Sequence, residues 1–162
     1  KIQIYTTQKG WQPCTVEDIR EFSALCYLTI RSIIDEYYHK YPVGVVLETN
    51  VDADLKSWSP PSALDKCKVK GTSEAWQNQI YPLTNMSIRG VLFDPGFVDA
   101  GLSQTEYECV WKNMINTWRD VWQMGDYAWN FVQTSSTNTA MLKVMQSSAM
   151  PSYDIQTTGM AV

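Results

Sequence analysis

Apolar positions along this chain switch between two periods. Residues 2–6, Ile-Gln-Ile-Tyr-Thr, alternate and are β-branched, which predicts a short strand. After a Gly-Trp-Gln-Pro turn, Val16, Ile19, Phe22, Leu25, Cys26, Ile30, Ile33, Ile34 and Tyr37 fall at helical spacing behind Thr15 as N-cap. They predict one long helix lying on a sheet. Pro42 ends it, and the apolar run at 43–47 has the character of a parallel strand covered on both faces. The region 51–71 is turn-rich, with a short helix expected from Ser62 and another helical stretch over 73–80. Residues 86–93 read as a strand. Ser103 and Glu106 then form a capping box for a helix whose Tyr107, Val110, Trp111, Met114, Ile115, Trp118, Val121 and Trp122 line one face. Gly125 is placed at its C-cap, residues 127–134 form the next strand, and the chain stops in the start of another. Strand and helix alternate throughout, which predicts an α/β class with a mainly parallel sheet and a single domain over 1–162. Ligands of such sheets sit beyond the carboxyl ends of the strands, so the loops of interest are 48–58, 94–103 and 133–139.

Composition adds mainly exclusions. With 162 residues, 44% hydrophobic and 19% charged, the chain can bury one core, and no apolar run approaches the ~20 residues of a membrane span. A net charge of −4 and only one short basic cluster, Lys66 to Lys70, argue against nucleic acid as a partner. The chain begins at Lys1 rather than Met, which reads as a processed or partial chain. Its four cysteines, Cys14, Cys26, Cys67 and Cys109, lack the close spacing of zinc or redox motifs, so no metal or other cofactor is expected. An even number suits disulfide pairing in an oxidising compartment, whereas Cys26 and Cys109 also suit small core positions on helices; both readings stay open.

Few residues suggest chemistry on their own. Asp52, Asp54, Asp94 and Asp99 could be arranged as paired carboxylates or calcium ligands, but acidic residues in turns more often cap helices. His39 at a helix end complements the helix dipole, and no serine stands in a Gly-x-Ser-x-Gly elbow. Trp111, Trp118 and Trp122 belong to the helix stripe and the core, whereas Trp11, Trp58 and Trp76 at loops or element ends are candidates for a partner surface. Asn85-Met86-Ser87 is an N-glycosylation sequon.

Four segments, WQPCTVEDIREFSALCYLTIRSI, PVGVVLETNVDADLKSW, IYPLTNMSIRGVLFDPGFVDAG and MINTWRDVWQMGDYAWNFVQ, resemble in the same order the sialate O-acetylesterase family of SGNH hydrolases. The resemblance implies a three-layer, doubly wound, flavodoxin-like sheet, here incomplete at both ends. It also implies a secreted or lysosomal setting. The family's nucleophilic serine lies in a Gly-Gln-Ser-Asn-Met element and its histidine in an Asp-x-x-His-Pro element; neither has a counterpart within 1–162. Its Trp-Gly-Gly-Thr block, which contributes a glycine N–H to the oxyanion, falls on Asn50, Val51, Asp52 and Ala53. Its Tyr-Gln-Gly-Glu-Ser-Asn block, ending in an oxyanion-binding asparagine, falls on Asp94, Pro95, Gly96, Phe97, Val98 and Asp99, where only Gly96 is kept.

These departures predict weak or absent ester hydrolysis. One lost oxyanion donor costs ~2.7–4 kcal/mol of transition-state stabilisation. An ionised Asp99 about 4 Å from the oxyanion would add repulsion of roughly 4 kcal/mol at an effective dielectric near 20. The expectation is therefore a catalytically inactive relative acting as a structural or binding component, with a companion chain or the remainder of the same protein covering its apolar edges. The alternatives are an active O-acetylesterase whose serine and histidine come from such a companion, and a sugar-binding module for a sialylated or acetylated glycan. Asn50, Asp94 and Trp58 are the ligand-binding candidates on these readings.

Overall fold

The computed structural model describes residues 2–6, 10–37, 41–95, 101–132 and 151–161. The chain divides into two compact units, Lys1–Thr49 and Asn50–Val162.

In the first unit, β1 (Ile2–Thr6) is the centre of a three-stranded sheet of order β2-β1-β3. β2 (Gly10–Pro13) runs antiparallel to it and β3 (Val43–Val46) parallel. The Gly-Trp-Gln-Pro stretch is thus a strand rather than the predicted turn. Gly10, with φ +65°, admits the reversal, and Trp11 then pairs with Tyr5 across the ladder, their rings 5.4 Å apart. The Trp11 ring also reaches β3, where a Cβ on Gly44 would come within 2.7 Å of it. The expected long helix is two helices, α1 (Val16–Glu21) and α2 (Ala24–Tyr37). Phe22 is extended, and Ser23 restarts the chain by accepting from the Cys26 N–H with its hydroxyl (3.4 Å) and from the Tyr27 N–H with its carbonyl (2.9 Å). None of the α2 residues is buried, and β3 is only half-buried, so the sequence pattern overstates how much of this unit is covered.

The second unit carries three parallel strands in the order β4 (Gly90–Phe93), β5 (Ala128–Val132) and β6 (Thr158–Ala161). Helix α5 (Gln104–Trp122) connects β4 to β5 and buries Tyr107, Val110, Trp111, Met114, Ile115, Trp118 and Trp122, nearly all of the stripe read from the sequence. On β5, Trp129 and Phe131 point into the same core while Asn130 between them is exposed, the alternation of a strand covered on one face. Among the described residues this unit also has three short helices, α3 (Leu55–Trp58), α4 (Pro61–Cys67) and α6 (Pro151–Asp154). The helical stretch expected at 73–80 is largely a π-turn, Trp76–Ile80, continued by a 3-10 turn at Tyr81–Leu83. Trp58 and Trp76, candidates for a surface, lie instead in the core. Trp58 meets Phe93 edge-on and Trp76 lies 5.3 Å from Trp118.

Three polar devices fix α5. A disulfide joins Cys67, the last residue of α4, to Cys109, with Cα atoms 5.8 Å apart, while Cys14 and Cys26 are free. Lys112 bonds Glu108 at 3.0 Å and also Asp154, tying α6 to α5. Arg119, only 6% exposed, donates to the carbonyls of Tyr127 (2.8 Å) and Thr157 (3.3 Å), and so binds the end of α5 to the approaches of β5 and β6. Gln123, rather than Gly125, is the left-handed C-cap, its N–H donating to the Arg119 carbonyl at 3.0 Å; Gly125, with φ +69°, makes the next reversal.

The capping box of α5 is formed as read. Ser103 donates from its N–H (2.9 Å) and hydroxyl (2.6 Å) to the Glu106 carboxylate, which holds that carboxyl below its ordinary range. A carboxyl depressed on folding stabilises the fold fully above its unfolded pKa of ~4.3, and that contribution is lost as pH falls through the lower folded value. Glu106→Gln should therefore be less stable than the parent at neutral pH, with the gap closing below the ordinary carboxylate range; urea unfolding at the two pH values measures this.

Candidate functional site

Parallel strands present their ligands beyond their carboxyl ends. In the first unit the residue two positions past β3 is Glu48, half-buried, and burial pushes its carboxyl above the ordinary range. In the second unit the chain opens with the turn 50–53. The Asn50 side-chain oxygen accepts from the Asp52 N–H at 3.2 Å, and the Asn50 carbonyl accepts from the Ala53 N–H at 3.2 Å. This is an Asx-turn, the local geometry in which an asparagine side chain imitates a backbone turn. Val51 at its tip is 86% exposed. Asp54 follows directly as the N-cap of α3, accepting from the Ser57 N–H at 2.9 Å and pairing with Lys56 at 3.0 Å. The block is therefore self-contained: its amides at 52 and 53 and its carboxylate at 54 are engaged between Asn50 and Ser57.

Beyond β4, Asp94 is exposed and Pro95 buried. Gly96 and Asp99 lie outside the described residues, as do His39 and the loop expected at 133–139. Of the ligand-binding candidates, Asn50 is exposed but spends its side-chain oxygen on its own turn, and Trp58 is a core residue whose carbonyl accepts from Trp118 Nε1 at 3.2 Å. Among the described residues no cluster of three or more His, Cys, Asp or Glu side chains is placed to hold a metal, and no helix is long and apolar enough to cross a membrane.

No family model matches the chain. Among curated proteins it is 25% identical over 134 residues to the sialate O-acetylesterase of Homo sapiens, a match covering 71% of this chain and 25% of that protein. The chain resembles the sialate O-acetylesterases. The Mus musculus sialate O-acetylesterase is 24% identical over 161 residues, covering 70% of this chain and 29% of the relative. Among solved structures, a carbohydrate acetylesterase from Xanthomonas citri superposes with a TM-score of 0.84 at 18% identity, covering 99% of this chain and 42% of that one. The α/β fold inferred from alternating elements and from the four quoted segments is thus the fold of an acetylesterase. The chain spans about a quarter of the length of the curated relatives it matches.

The resemblance aligns Val51 and Asp52 with the family's two glycines. In the fold, the Asp52 amide is bonded inside the Asx-turn. An asparagine in a turn commonly bonds the backbone N–H two residues on, so this engagement could have been read from the sequence. Arg119 carried no comparable signal, because an arginine on an apolar helix face reads as a solvated charge until β5 and β6 are placed beside it.

Proposed function

We propose that this chain is part of a catalytically inactive carbohydrate O-acetylesterase-like protein, retained as a structural or binding scaffold that works with another chain or with the rest of its own protein. The observation that carries the reading is the Asx-turn at Asn50–Ala53. Where acyl transfer needs a free backbone N–H aimed at the oxyanion, the Asp52 amide is bonded to Asn50 Oδ1 at 3.2 Å. A tetrahedral intermediate would have to break that bond to be held there. Asp99 weighs the same way, since a carboxylate stands where the resemblance has the oxyanion-binding asparagine and offers no amide donor. A secreted or lysosomal setting fits the Cys67–Cys109 disulfide, which persists in oxidising compartments.

The test uses the full-length protein with O-acetylated sialosides and a chromogenic acetyl ester. The expected result is acetate release at the rate of the buffer blank. Turnover abolished by a serine-directed phosphonate would overturn the reading and assign the reaction to an assembly in which another segment supplies serine and histidine. Calorimetric titration with the acetylated and de-acetylated glycans separates the roles that remain: saturable binding to either makes the scaffold a sugar-binding component.

A further inference from the structure

We infer that Asn85 is an N-glycosylation site and that its glycan stands at the amino end of the second unit's sheet, away from the ligand edge. Three independent observations meet here. The sequence Asn85-Met86-Ser87 supplies the amide acceptor and, two residues on, the hydroxyl that the transferring enzyme reads. Asn85 and Ser87 are both exposed. The Cys67–Cys109 disulfide is a covalent mark of an oxidising compartment, and the compartment that forms disulfides in secreted chains is the one in which oligosaccharide is transferred to asparagine.

The folded turn presents the acceptor on a firm base. Thr84 donates its hydroxyl back to the Tyr81 carbonyl at 2.8 Å, and the Met86 N–H donates to the Leu83 carbonyl at 2.9 Å. The Met86 carbonyl accepts from Trp122 Nε1 at 3.0 Å, and the Ile88 N–H is directed at Met124 Sδ at 3.4 Å. The backbone on both sides of Asn85 is thus tied to its own turn and to α5, while the side chain at 85 faces solvent. β4 begins at Gly90, so the turn lies at the amino end of that strand, whereas Asp94 lies at its carboxyl end. A large hydrophilic group at Asn85 would leave the carboxyl edge open.

In the transfer, Asn85 Nδ2 forms a bond to the anomeric carbon of an oligosaccharide carried on a lipid pyrophosphate. The bond from that carbon to the pyrophosphate oxygen breaks, the lipid pyrophosphate leaves, and the amide proton goes to a base of the transferase. The inference rests on the disulfide and the sequon and is independent of whether the protein turns over esters.

The experiment maps the full-length protein secreted from eukaryotic cells by mass spectrometry, before and after peptide-N-glycosidase. The expected result is a tryptic peptide ending at Arg89 that carries a heterogeneous hexosamine-containing mass and collapses on treatment to one peptide deamidated at position 85. Asn85→Gln and Ser87→Ala should abolish the modification, and Ser87→Thr, which keeps the hydroxyl, should retain it even if the other variants secrete poorly. A digest without reduction reports the Cys67–Cys109 pairing in the same sample. An unmodified Asn85 in secreted protein overturns the inference, whether the cysteines are paired or not.

Discussion

Trp111→Ala should lower the unfolding free energy of the second unit by about 3–5 kcal/mol, the range for truncating a fully buried large aromatic residue. Trp111 has no exposed surface, and its ring lies 5.1 Å from Phe93, 5.5 Å from Phe131 and 6.0 Å from Tyr107. It therefore stands where α5 meets β4 and β5, and its removal opens a cavity among rings that cannot collapse without moving a strand. Urea unfolding followed by near-ultraviolet circular dichroism measures the loss. A cost below about 1 kcal/mol would mean that the helix does not pack on these strands as described, since only a site already open to solvent or free to collapse gives so small a penalty.

Breaking the disulfide ranks beside it. Cys67 and Cys109 are 42 residues apart, and closing a loop of that length in the unfolded chain corresponds to ~4 kcal/mol of chain entropy at 25 °C. Cys67→Ser with Cys109→Ser should cost about 2–5 kcal/mol, the range for removing a native disulfide. Reduced parent and double variant should then unfold at nearly the same urea concentration. A double variant as stable as the oxidised parent would show that the link does not restrict the unfolded chain, and would also weaken the argument for an oxidising compartment. Because Cys109 lies two residues from Trp111 on α5, the two changes should be less than additive if one local opening relieves both.

The second unit was largely legible in the sequence, for a physical reason. Over 19 residues of α5 the apolar positions keep one face and Ser103 and Glu106 close the first turn, so pattern, cap and packing agree. The shorter elements were less legible. Gly10 to Pro13 contains the two residues that most often signal a turn, yet Gly10 supplies the reversal and the three residues after it pair with β1. Trp58 and Trp76 sit at ends of short helices, where local pattern gives no facing direction; their burial follows from Phe93 and Trp118, which are distant in sequence. The helix break at Ser23 is a contest between a local hydroxyl bond and helix continuation, which an apolar stripe alone cannot decide. The pairing of Cys67 with Cys109 was open for the same reason as any pairing among four cysteines: spacing does not specify which Cα atoms meet. At the candidate site, Asn50 marks a turn in the sequence, and the fold shows its side-chain oxygen accepting from the Asp52 N–H.

The distribution of tryptophan has an optical consequence. Six of the seven, Trp58, Trp76, Trp111, Trp118, Trp122 and Trp129, are buried in the second unit, while Trp11 stands alone and open to solvent in the first. The protein is in effect labelled in two colours by its own sequence: shielded indoles emitting toward the blue from one unit, and a single hydrated indole, accessible to iodide, from the other. The melting of each unit is written in a separate part of the emission spectrum.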